Sequence, residues 1–181
     1  MEKALFLDRD GVINVDHGYL YKSSEVEFVE GIFDLCQRFQ SAGYLLVVVT
    51  NQSGIGRGYY SEEDFHTLSA WMTQQFAEKG LSINKFYFCP HHASGAQGEY
   101  RKDCQCRKPK PGMLLQAAKE LDIDLTKSVL VGDKFSDVQA GQGAGVKRCI
   151  LFTGNEANEL NRANHKNIAH EHVALLHLIQ P

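Results

Sequence analysis

Four carboxylates in this sequence are spaced so that they could act together: Asp8, Asp10, Asp133 and Asp137. Asp8 and Asp10 directly follow the apolar run 4–7, which predicts a buried strand that ends where the acids begin. The carboxyl end of a parallel strand is where open α/β sheets bind ligands. Two carboxylates so close together repel each other unless a cation joins them. We therefore expect a magnesium ion, and with it a phosphate ester, at this point of the chain.

The elements that must position these residues alternate along the chain. Apolar runs predict strands over 4–7, 44–49, 85–89, 128–131 and 147–152. Apolar residues at helical spacing predict helices over 31–42, 61–79, 111–121, 136–143 and 173–179, with a polar surface segment over 155–167. This alternation indicates an α/β fold, a Rossmann-like doubly wound parallel sheet with helices on both faces.

Three of the predicted strands end in polar clusters, at 8–10, 50–51 and 133–137. Any one of these clusters alone could be a helix cap or a turn, because Asp, Asn and Thr are common there. The carboxyl ends of parallel strands meet at one edge of a sheet. Three clusters at three strand ends therefore predict one shared site.

Phosphoryl transfer explains why these residue types would be brought together. A phosphate monoester is a dianion, so attack by a carboxylate requires neutralisation of charge and alignment of the reacting atoms. Asp8 and Asp133 offer the oxygen ligands that magnesium prefers. A carboxylate such as Asp8 can be the nucleophile that forms an aspartyl-phosphate. Asp10 could protonate the leaving oxygen and later activate water.

The remaining groups would hold the phosphoryl oxygens. Thr50 and nearby backbone amides could bind them, and a lysine is needed against the developing negative charge. Two lysines precede the helix predicted at 111, and both Lys108 and Lys110 are candidates.

These segments resemble, in order, the four motifs of the haloacid dehalogenase superfamily: Asp8-Arg9-Asp10-Gly11-Val12, Thr50-Asn51-Gln52, Lys108-Pro109, and Gly132-Asp133 with Asp137. The resemblance implies that Asp8 is the nucleophile and Asp10 the general acid and base. It also implies that Thr50 and Lys108 hold the transferring phosphoryl group. The fold expected from it is the haloacid dehalogenase fold, with no large cap domain.

The same resemblance implies a magnesium site. Its expected ligands are the carboxylates of Asp8 and Asp133 and the backbone carbonyl of Asp10. Asp137 is expected to lie just behind these ligands, without touching the metal.

A second metal site is indicated by a group of cysteine and histidine residues. The group comprises Cys89, His91, Cys104 and Cys106. Three thiolates and one imidazole fill a tetrahedral zinc site, which favours a structural zinc over a catalytic one. His92 is a rival ligand for His91, and the alternative is that these are unliganded surface cysteines. A zinc ion would brace the loop 89–106 and so place Arg107 and Lys108.

The zinc loop narrows the resemblance to two phosphatase groups of the superfamily, those that act on heptose bisphosphates and those that act on histidinol phosphate. The segments 14–19, 50–54 and 89–92 resemble the heptose group, over nearly the full length of the chain. This implies removal of a 7-phosphate from a small sugar bisphosphate during synthesis of the heptose precursor for lipopolysaccharide or surface glycans.

Several residues could bind such a substrate. Arg107 is suited to bidentate binding of the second phosphate. The residues that could contact the sugar are Asp16, His17, Gly18, Tyr19, Asn51, Gln52, Ser53 and Lys134. The alternative for 16–19 is a simple surface turn.

Length, charge and cysteine count limit the domain organisation, the partners and the compartment that we expect. With 181 residues we expect one phosphatase domain over 1–181, acting as a monomer. The formal net charge of −3 gives no electrostatic case for binding nucleic acid or an anionic membrane, which disfavours a nucleic-acid end-processing phosphatase. We find no membrane-spanning run or leader, and an odd count of five cysteines, so we expect the reducing cytoplasm. A non-catalytic, zinc-braced binding module is the alternative from a different class.

Overall fold

The computed structural model describes residues 1–154 and 171–181. Its strands are β1 (Lys3–Leu7), β2 (Tyr44–Asn51), β3 (Ile83–Cys89), β4 (Val129–Gly132), β5 (Arg148–Phe152) and β6 (Glu171–Val173). Its α-helices are α1 (Ile32–Ser41), α2 (Ser53–Gly56), α3 (Glu62–Ala77), α4 (Gly112–Glu120) and α5 (Phe135–Ala144). Four short 3₁₀ turns cover Ser23–Glu25, Gly98–Tyr100, Leu125–Lys127 and Leu176–Leu178.

The six strands form one parallel sheet in the order β3-β2-β1-β4-β5-β6. β1 lies between β2 and β4, with Leu5 opposite both Leu46 and Val129. The chain therefore runs outward from β1 in one direction through β2 and β3, and in the other through β4 and β5. A reversal of this kind opens a crevice at the carboxyl ends of the strands beside it, where ligands bind in open α/β sheets.

The sheet separates two apolar cores, and the alternation of side chains along β1 supplies both. Leu5 and Leu7 face the core that α1 covers, whereas Ala4 and Phe6 face the core that α4 and α5 cover. All four side chains are at most 1% exposed. Since full burial of a Leu or Phe side chain contributes about 1.5–3 kcal/mol, this strand is fixed firmly just before Asp8.

Most of the predicted elements are confirmed, with small shifts at their ends. The helix predicted over 61–79 begins with a capping box, in which the Ser61 hydroxyl accepts from Asp64 N–H and the Asp64 carboxylate accepts from Ser61 N–H. β3 begins at Ile83, two residues earlier than predicted, and the one-turn helix α2 was not predicted. The polar segment predicted at 155–167 lies outside the described residues.

The closing helix predicted over 173–179 is wrong. Val173 instead ends β6, where it is opposite Phe152, and Leu176–Leu178 is a single 3₁₀ turn. Leu176 and Ile179 are buried at a spacing of three, which imitates a helical face. The segment is too short for a stable helix, and the Arg38 guanidinium of α1 binds the carbonyl oxygens of both residues.

Within residues 1–154 and 171–181, none of the helices combines the length and the apolar composition needed to cross a membrane.

Candidate active site

The three polar clusters predicted from the sequence lie together at the carboxyl edge of the sheet. Asp8 follows β1, Thr50 is the penultimate residue of β2, and Asp133 follows β4. The backbone N–H of Asp8 donates to the carbonyl of Val131 at 3.0 Å, which ties the ends of β1 and β4 together. The site thus occupies the crevice at which the strand order reverses.

Three carboxylates are packed into this crevice. Asp8, Asp133 and Asp137 are at most 6% exposed, and one oxygen of each lies within 4.8 Å of the others. Burial, together with the nearby charge of Asp137, raises the pKa of Asp8; burial and the charges of Asp8 and Asp137 raise that of Asp133. Oδ1 of Asp133 is buried without a hydrogen-bond partner among the described residues. Crowded oxygen ligands with an unpaired buried oxygen fit a divalent cation such as magnesium.

Two glycines make this close packing possible. Gly11 has φ of +95°, and a Cβ added there would lie 2.1 Å from Oδ2 of Asp133. A Cβ on Gly132 would lie 2.1 Å from the Cβ of Asp137. Any larger side chain at either position would displace a carboxylate, which gives a steric reason for the pairs Asp10-Gly11 and Gly132-Asp133.

Lys108 supplies the positive charge at this edge of the sheet. Its Nζ lies 2.9 Å from Oδ1 of Asp8 and 2.6 Å from Oδ1 of Asp137, and it donates to the carbonyl of Val49 at 2.7 Å. Burial alone would lower the pKa of Lys108, but the charges of Asp137 and Asp8 raise it above its ordinary value. Lys110, the other candidate, instead pairs with Asp103 at the surface. The structure therefore brings Lys108 and not Lys110 to the carboxylates.

Asp137 joins Lys108 to the start of α5. Its Oδ2 accepts from the backbone N–H of Lys134 at 3.0 Å, while its Oδ1 pairs with Lys108. Its side chain is 2% exposed, so both oxygens are held away from solvent.

The carboxylate of Asp10 is held by donors on three sides. Nη2 of Arg9 lies 3.0 Å from both carboxylate oxygens, and Nδ2 of Asn14 lies 3.0 Å from Oδ1. Nε2 of Gln52 donates to Oδ2 at 3.0 Å and to the Thr50 hydroxyl at 2.8 Å. Thr50 is 1% exposed, and its oxygen accepts from Gln52, which leaves its own proton for another acceptor.

A cavity of about 600 Å³ opens above these groups. The predicted sugar and phosphate contacts that line it are Asp16, Gly18, Tyr19, Asn51, Gln52, Ser53, Arg107 and Lys134. His17 is not among its lining residues, and Nε2 of its exposed ring lies 3.2 Å from the carboxylate of Glu27. Tyr60 and Ser136 also line the cavity, and neither was predicted to be a site residue. Tyr60 lies outside every motif, and Ser136, although it lies in the polar cluster 133–137, marks the start of the predicted helix 136–143.

The cysteine and histidine residues predicted to bind zinc also lie together. Sγ of Cys89 lies 3.5 Å from Sγ of Cys104 and 3.0 Å from Sγ of Cys106, and the Sγ atoms of Cys104 and Cys106 are 3.4 Å apart. Nδ1 of His91 lies 3.3 Å from the Cys106 sulfur and 3.7 Å from the Cys89 sulfur. Thiolates about 2.3 Å from a tetrahedral zinc would be about 3.8 Å apart, so the four atoms are close enough to share one ion.

His91 and His92 have different surroundings. Nδ1 of His92 accepts from the backbone N–H groups of Ser94 and Gly95, which turns this ring toward its own loop. His91 is therefore the histidine that the structure places with the thiols. Arg107, which follows the cluster, donates to the His91 carbonyl at 3.3 Å.

Fold and site together define a hydrolase of the haloacid dehalogenase-like class, and comparison with known proteins agrees. Residues 105–175 match the family described as HAD-hydrolase-like. A D-glycero-beta-D-manno-heptose-1,7-bisphosphate 7-phosphatase of Pasteurella multocida is 52% identical over 88% of this chain and 86% of its own length. A D-glycero-alpha-D-manno-heptose-1,7-bisphosphate 7-phosphatase of Burkholderia mallei is 50% identical over 89% and 85%.

A solved structure is similar over almost the whole chain. It is the D,D-heptose 1,7-bisphosphate phosphatase of B. bronchiseptica complexed with magnesium and phosphate, with a TM-score of 0.83 and 29% identity. The match covers 96% of this chain and 93% of that one. The chain belongs to the family of D-glycero-D-manno-heptose-1,7-bisphosphate 7-phosphatases, and is thus a phosphoric monoester hydrolase.

Proposed function

We propose that the chain removes the 7-phosphate of D-glycero-D-manno-heptose 1,7-bisphosphate, in the synthesis of ADP-heptose for lipopolysaccharide or surface glycans. The observation that carries the proposal is the contact of the Lys108 ammonium with Asp8, beside the crowded carboxylate of Asp133. Identity of 50–52% to relatives named for this substrate supports the choice of sugar.

The first half of the reaction would be attack by the Asp8 carboxylate on phosphorus. As the new bond forms, the bond from phosphorus to the sugar oxygen breaks, and Asp10 gives its proton to that oxygen. Lys108 neutralises charge on the phosphoryl group, and the Thr50 hydroxyl donates to one of its oxygens. The products are the heptose 1-phosphate and an aspartyl-phosphate on Asp8.

The second half would restore Asp8. Asp10, now ionised, takes a proton from a water molecule, whose oxygen attacks phosphorus as the bond to Asp8 breaks. Inorganic phosphate leaves, and Asp10 is protonated again for the next turnover.

Magnesium would be held by the carboxylates of Asp8 and Asp133 and by the backbone carbonyl of Asp10. When bound, this ion lowers the repulsion between the nucleophile and the dianionic ester. The crowding of Asp8, Asp133 and Asp137 around an unpaired carboxylate oxygen supports the assignment.

Zinc would be held by Cys89, His91, Cys104 and Cys106, and would act on the fold rather than on the substrate. The four side chains supply all the ligands of a tetrahedral site, so none is left for water. Zinc there would fix the loop 89–106 and, through it, the two residues that follow Cys106.

The second phosphate of the substrate would be bound by Arg107. Arg107 lines the cavity, and Nη1 of its guanidinium donates to the His91 carbonyl. Lys134 and Asp16 face each other in the same cavity, with 3.4 Å between Nζ and Oδ2, and would contact sugar hydroxyls.

Phosphate release from a panel of substrates tests the proposal. The panel contains both anomers of heptose 1,7-bisphosphate and histidinol phosphate, each with magnesium and with a chelator. We expect rapid, magnesium-dependent release from a heptose bisphosphate. Equal or faster release from histidinol phosphate would contradict it, and so would the absence of any release.

We further propose that residues 1–181 form one domain that acts as a monomer in the cytoplasm. Light scattering on the purified chain measures the oligomeric state, and a mass about twice that of one chain would contradict the monomer.

A further inference from the structure

Both hydrogens of the Gln52 side-chain amide are used within the protein. Gln52 is 2% exposed, and its Nε2 donates to Oδ2 of Asp10 at 3.0 Å and to the Thr50 hydroxyl at 2.8 Å. Its Oε1 accepts from the hydroxyl of Tyr60. These three bonds leave the amide no hydrogen for another acceptor, although the residue borders the cavity.

The direction of the amide is set by its neighbours. A carboxylate held by the Arg9 guanidinium can only accept, so the NH₂ group of Gln52 must face Asp10. The oxygen of the amide then faces Tyr60, whose hydroxyl donates to it. A reversed amide would place its oxygen against Oδ2 of Asp10, where neither atom can donate to the other.

Packing keeps Tyr60 where this bond requires it. The ring stacks on Tyr21 with centroids 5.3 Å apart and planes 11° from parallel. Gly54 also lies against this ring, since an added Cβ there would be 2.3 Å from Cε1 of Tyr60. Gly54 therefore gives the ring room to reach Gln52.

We propose that Gln52 is a positioning residue, anchored by Tyr60, which holds the general acid Asp10 and the phosphoryl-binding Thr50 at fixed places. This inference rests on the proposed function. It also gives Gln52 a role different from the sugar contact predicted from the sequence, because the residue would act on Asp10 and Thr50 and not on the sugar. Loss of its amide would leave Oδ2 of Asp10 with Arg9 as its remaining side-chain donor among the described residues.

Substrates with different leaving groups can show whether Gln52 positions Asp10, binds the substrate or only stabilises the fold. A sugar alkoxide leaves only with a proton from Asp10, whereas p-nitrophenolate leaves without one. The value of kcat/KM covers only the steps up to formation of the aspartyl-phosphate. It therefore reports on departure of the leaving group and not on the later hydrolysis. General acids contribute about 10²–10⁴-fold, and their misplacement removes part of that factor.

The experiment compares kcat/KM for heptose 1,7-bisphosphate and for p-nitrophenyl phosphate in Gln52→Met, Gln52→Glu and Tyr60→Phe. For both Gln52 variants we expect the heptose value to fall at least about 10-fold more than the p-nitrophenyl value, through kcat and not KM. Gln52→Glu keeps the acceptor for Tyr60, so it decides the matter if Gln52→Met does not fold. Tyr60→Phe should show the same selective loss, smaller in size.

Tyr21→Phe is the matched control, since it removes a hydroxyl from the ring stacked on Tyr60 and should change neither value. Equal losses for both substrates, a rise in KM alone, or full activity of both Gln52 variants would overturn the inference. Failure of the proposed function would look different, because the wild-type protein would then release no phosphate from the heptose.

Discussion

The side-chain amide of Asn51 pairs with both backbone polar groups of Lys108. The N–H of Lys108 donates to Oδ1 of Asn51 at 3.0 Å, and Nδ2 of Asn51 donates to the Lys108 carbonyl at 3.1 Å. The end of β2 is thereby joined to the chain just beyond the cysteine and histidine cluster. Two structures therefore place the Lys108 ammonium against Asp8. One is the Asn51 side chain at the end of β2, and the other is the cysteine and histidine cluster that precedes Lys108 in the chain.

Asn51→Asp should weaken the support from β2. The substitution keeps the shape of the side chain but removes the donor and places a carboxylate oxygen against the Lys108 carbonyl. We expect kcat to fall about 10–100-fold, within the range found when a transition-state donor is misplaced. Steady-state phosphate release from heptose 1,7-bisphosphate measures this.

Asn84→Asp is the matched control for that variant. Oδ1 of Asn84 accepts from Leu46 N–H at 2.8 Å, and aspartate preserves this acceptor at an exposed position. Activity should stay at the wild-type level there. A loss of equal size in both variants would contradict the specific role of Asn51.

Asp133→Asn should stabilise the protein without metal and abolish its response to magnesium. Burial and the charges of Asp8 and Asp137 raise the pKa of Asp133, so in a chelator at neutral pH folding must act against the ionisation of this carboxyl, and asparagine removes that cost. We expect the Tm to rise by about 3 °C, the shift produced by about 1 kcal/mol in a chain of this size. Thermal unfolding with and without magnesium checks both parts.

In the same experiment magnesium should raise the Tm of the wild-type protein, because an ion that binds only the folded state stabilises it. A variant that magnesium still stabilises, or one that loses stability in the chelator, would argue against Asp133 as a ligand.

Cys106→Ser should release zinc and misplace Lys108. The residue is two positions before Lys108, and its sulfur lies within 3.4 Å of the other two thiols of the cluster. We expect a Tm lower by about 10 °C or more, since structural zinc contributes directly to folding. Native mass spectrometry and thermal unfolding measure zinc content and stability.

Cys149→Ala serves as its control, because Cys149 is buried in the core beside β4. It should keep one zinc per chain and lose only the stability of a small core truncation. Zinc retained by Cys106→Ser would count against the assigned ligands.

Arg107→Lys should weaken binding of the second phosphate selectively. Lysine keeps the charge but loses the planar fork that binds a phosphate through two parallel hydrogen bonds. We expect KM for heptose 1,7-bisphosphate to rise about 10-fold, and KM for heptose 7-phosphate to stay nearly constant. Equal changes in the two KM values would contradict this role, and would mean that Arg107 binds the 7-phosphate or only stabilises its loop.

Much of the fold could be predicted, because the apolar pattern of each segment and the rules of parallel-sheet topology indicate the same arrangement. The apolar run 4–7 is short for a helix and ends at two acids, which favours a buried strand, and the carboxyl ends of parallel strands meet at a common edge. The acids after β1 and β4 were therefore predicted to meet, and they do.

The rest depends on contacts between residues far apart in the chain. Local pattern does not distinguish Lys108 from Lys110, because each directly precedes a proline. The family resemblance points to Lys108, and the structure brings this lysine to Asp8, 100 positions away. Tyr60 carries no motif, and its bond to Gln52 arises from the turn at Gly54. The closing segment was misread because burial of Leu176 and Ile179 against α1 imitates helical spacing.

The most direct test of the whole account is ³¹P NMR of heptose 1,7-bisphosphate incubated with magnesium and either the wild-type protein or Asp8→Asn. With the wild-type protein the 7-phosphate signal should disappear as inorganic phosphate grows, while the 1-phosphate signal remains; with Asp8→Asn the spectrum should not change. Loss of the 1-phosphate first, or hydrolysis by Asp8→Asn at the wild-type rate, would contradict it.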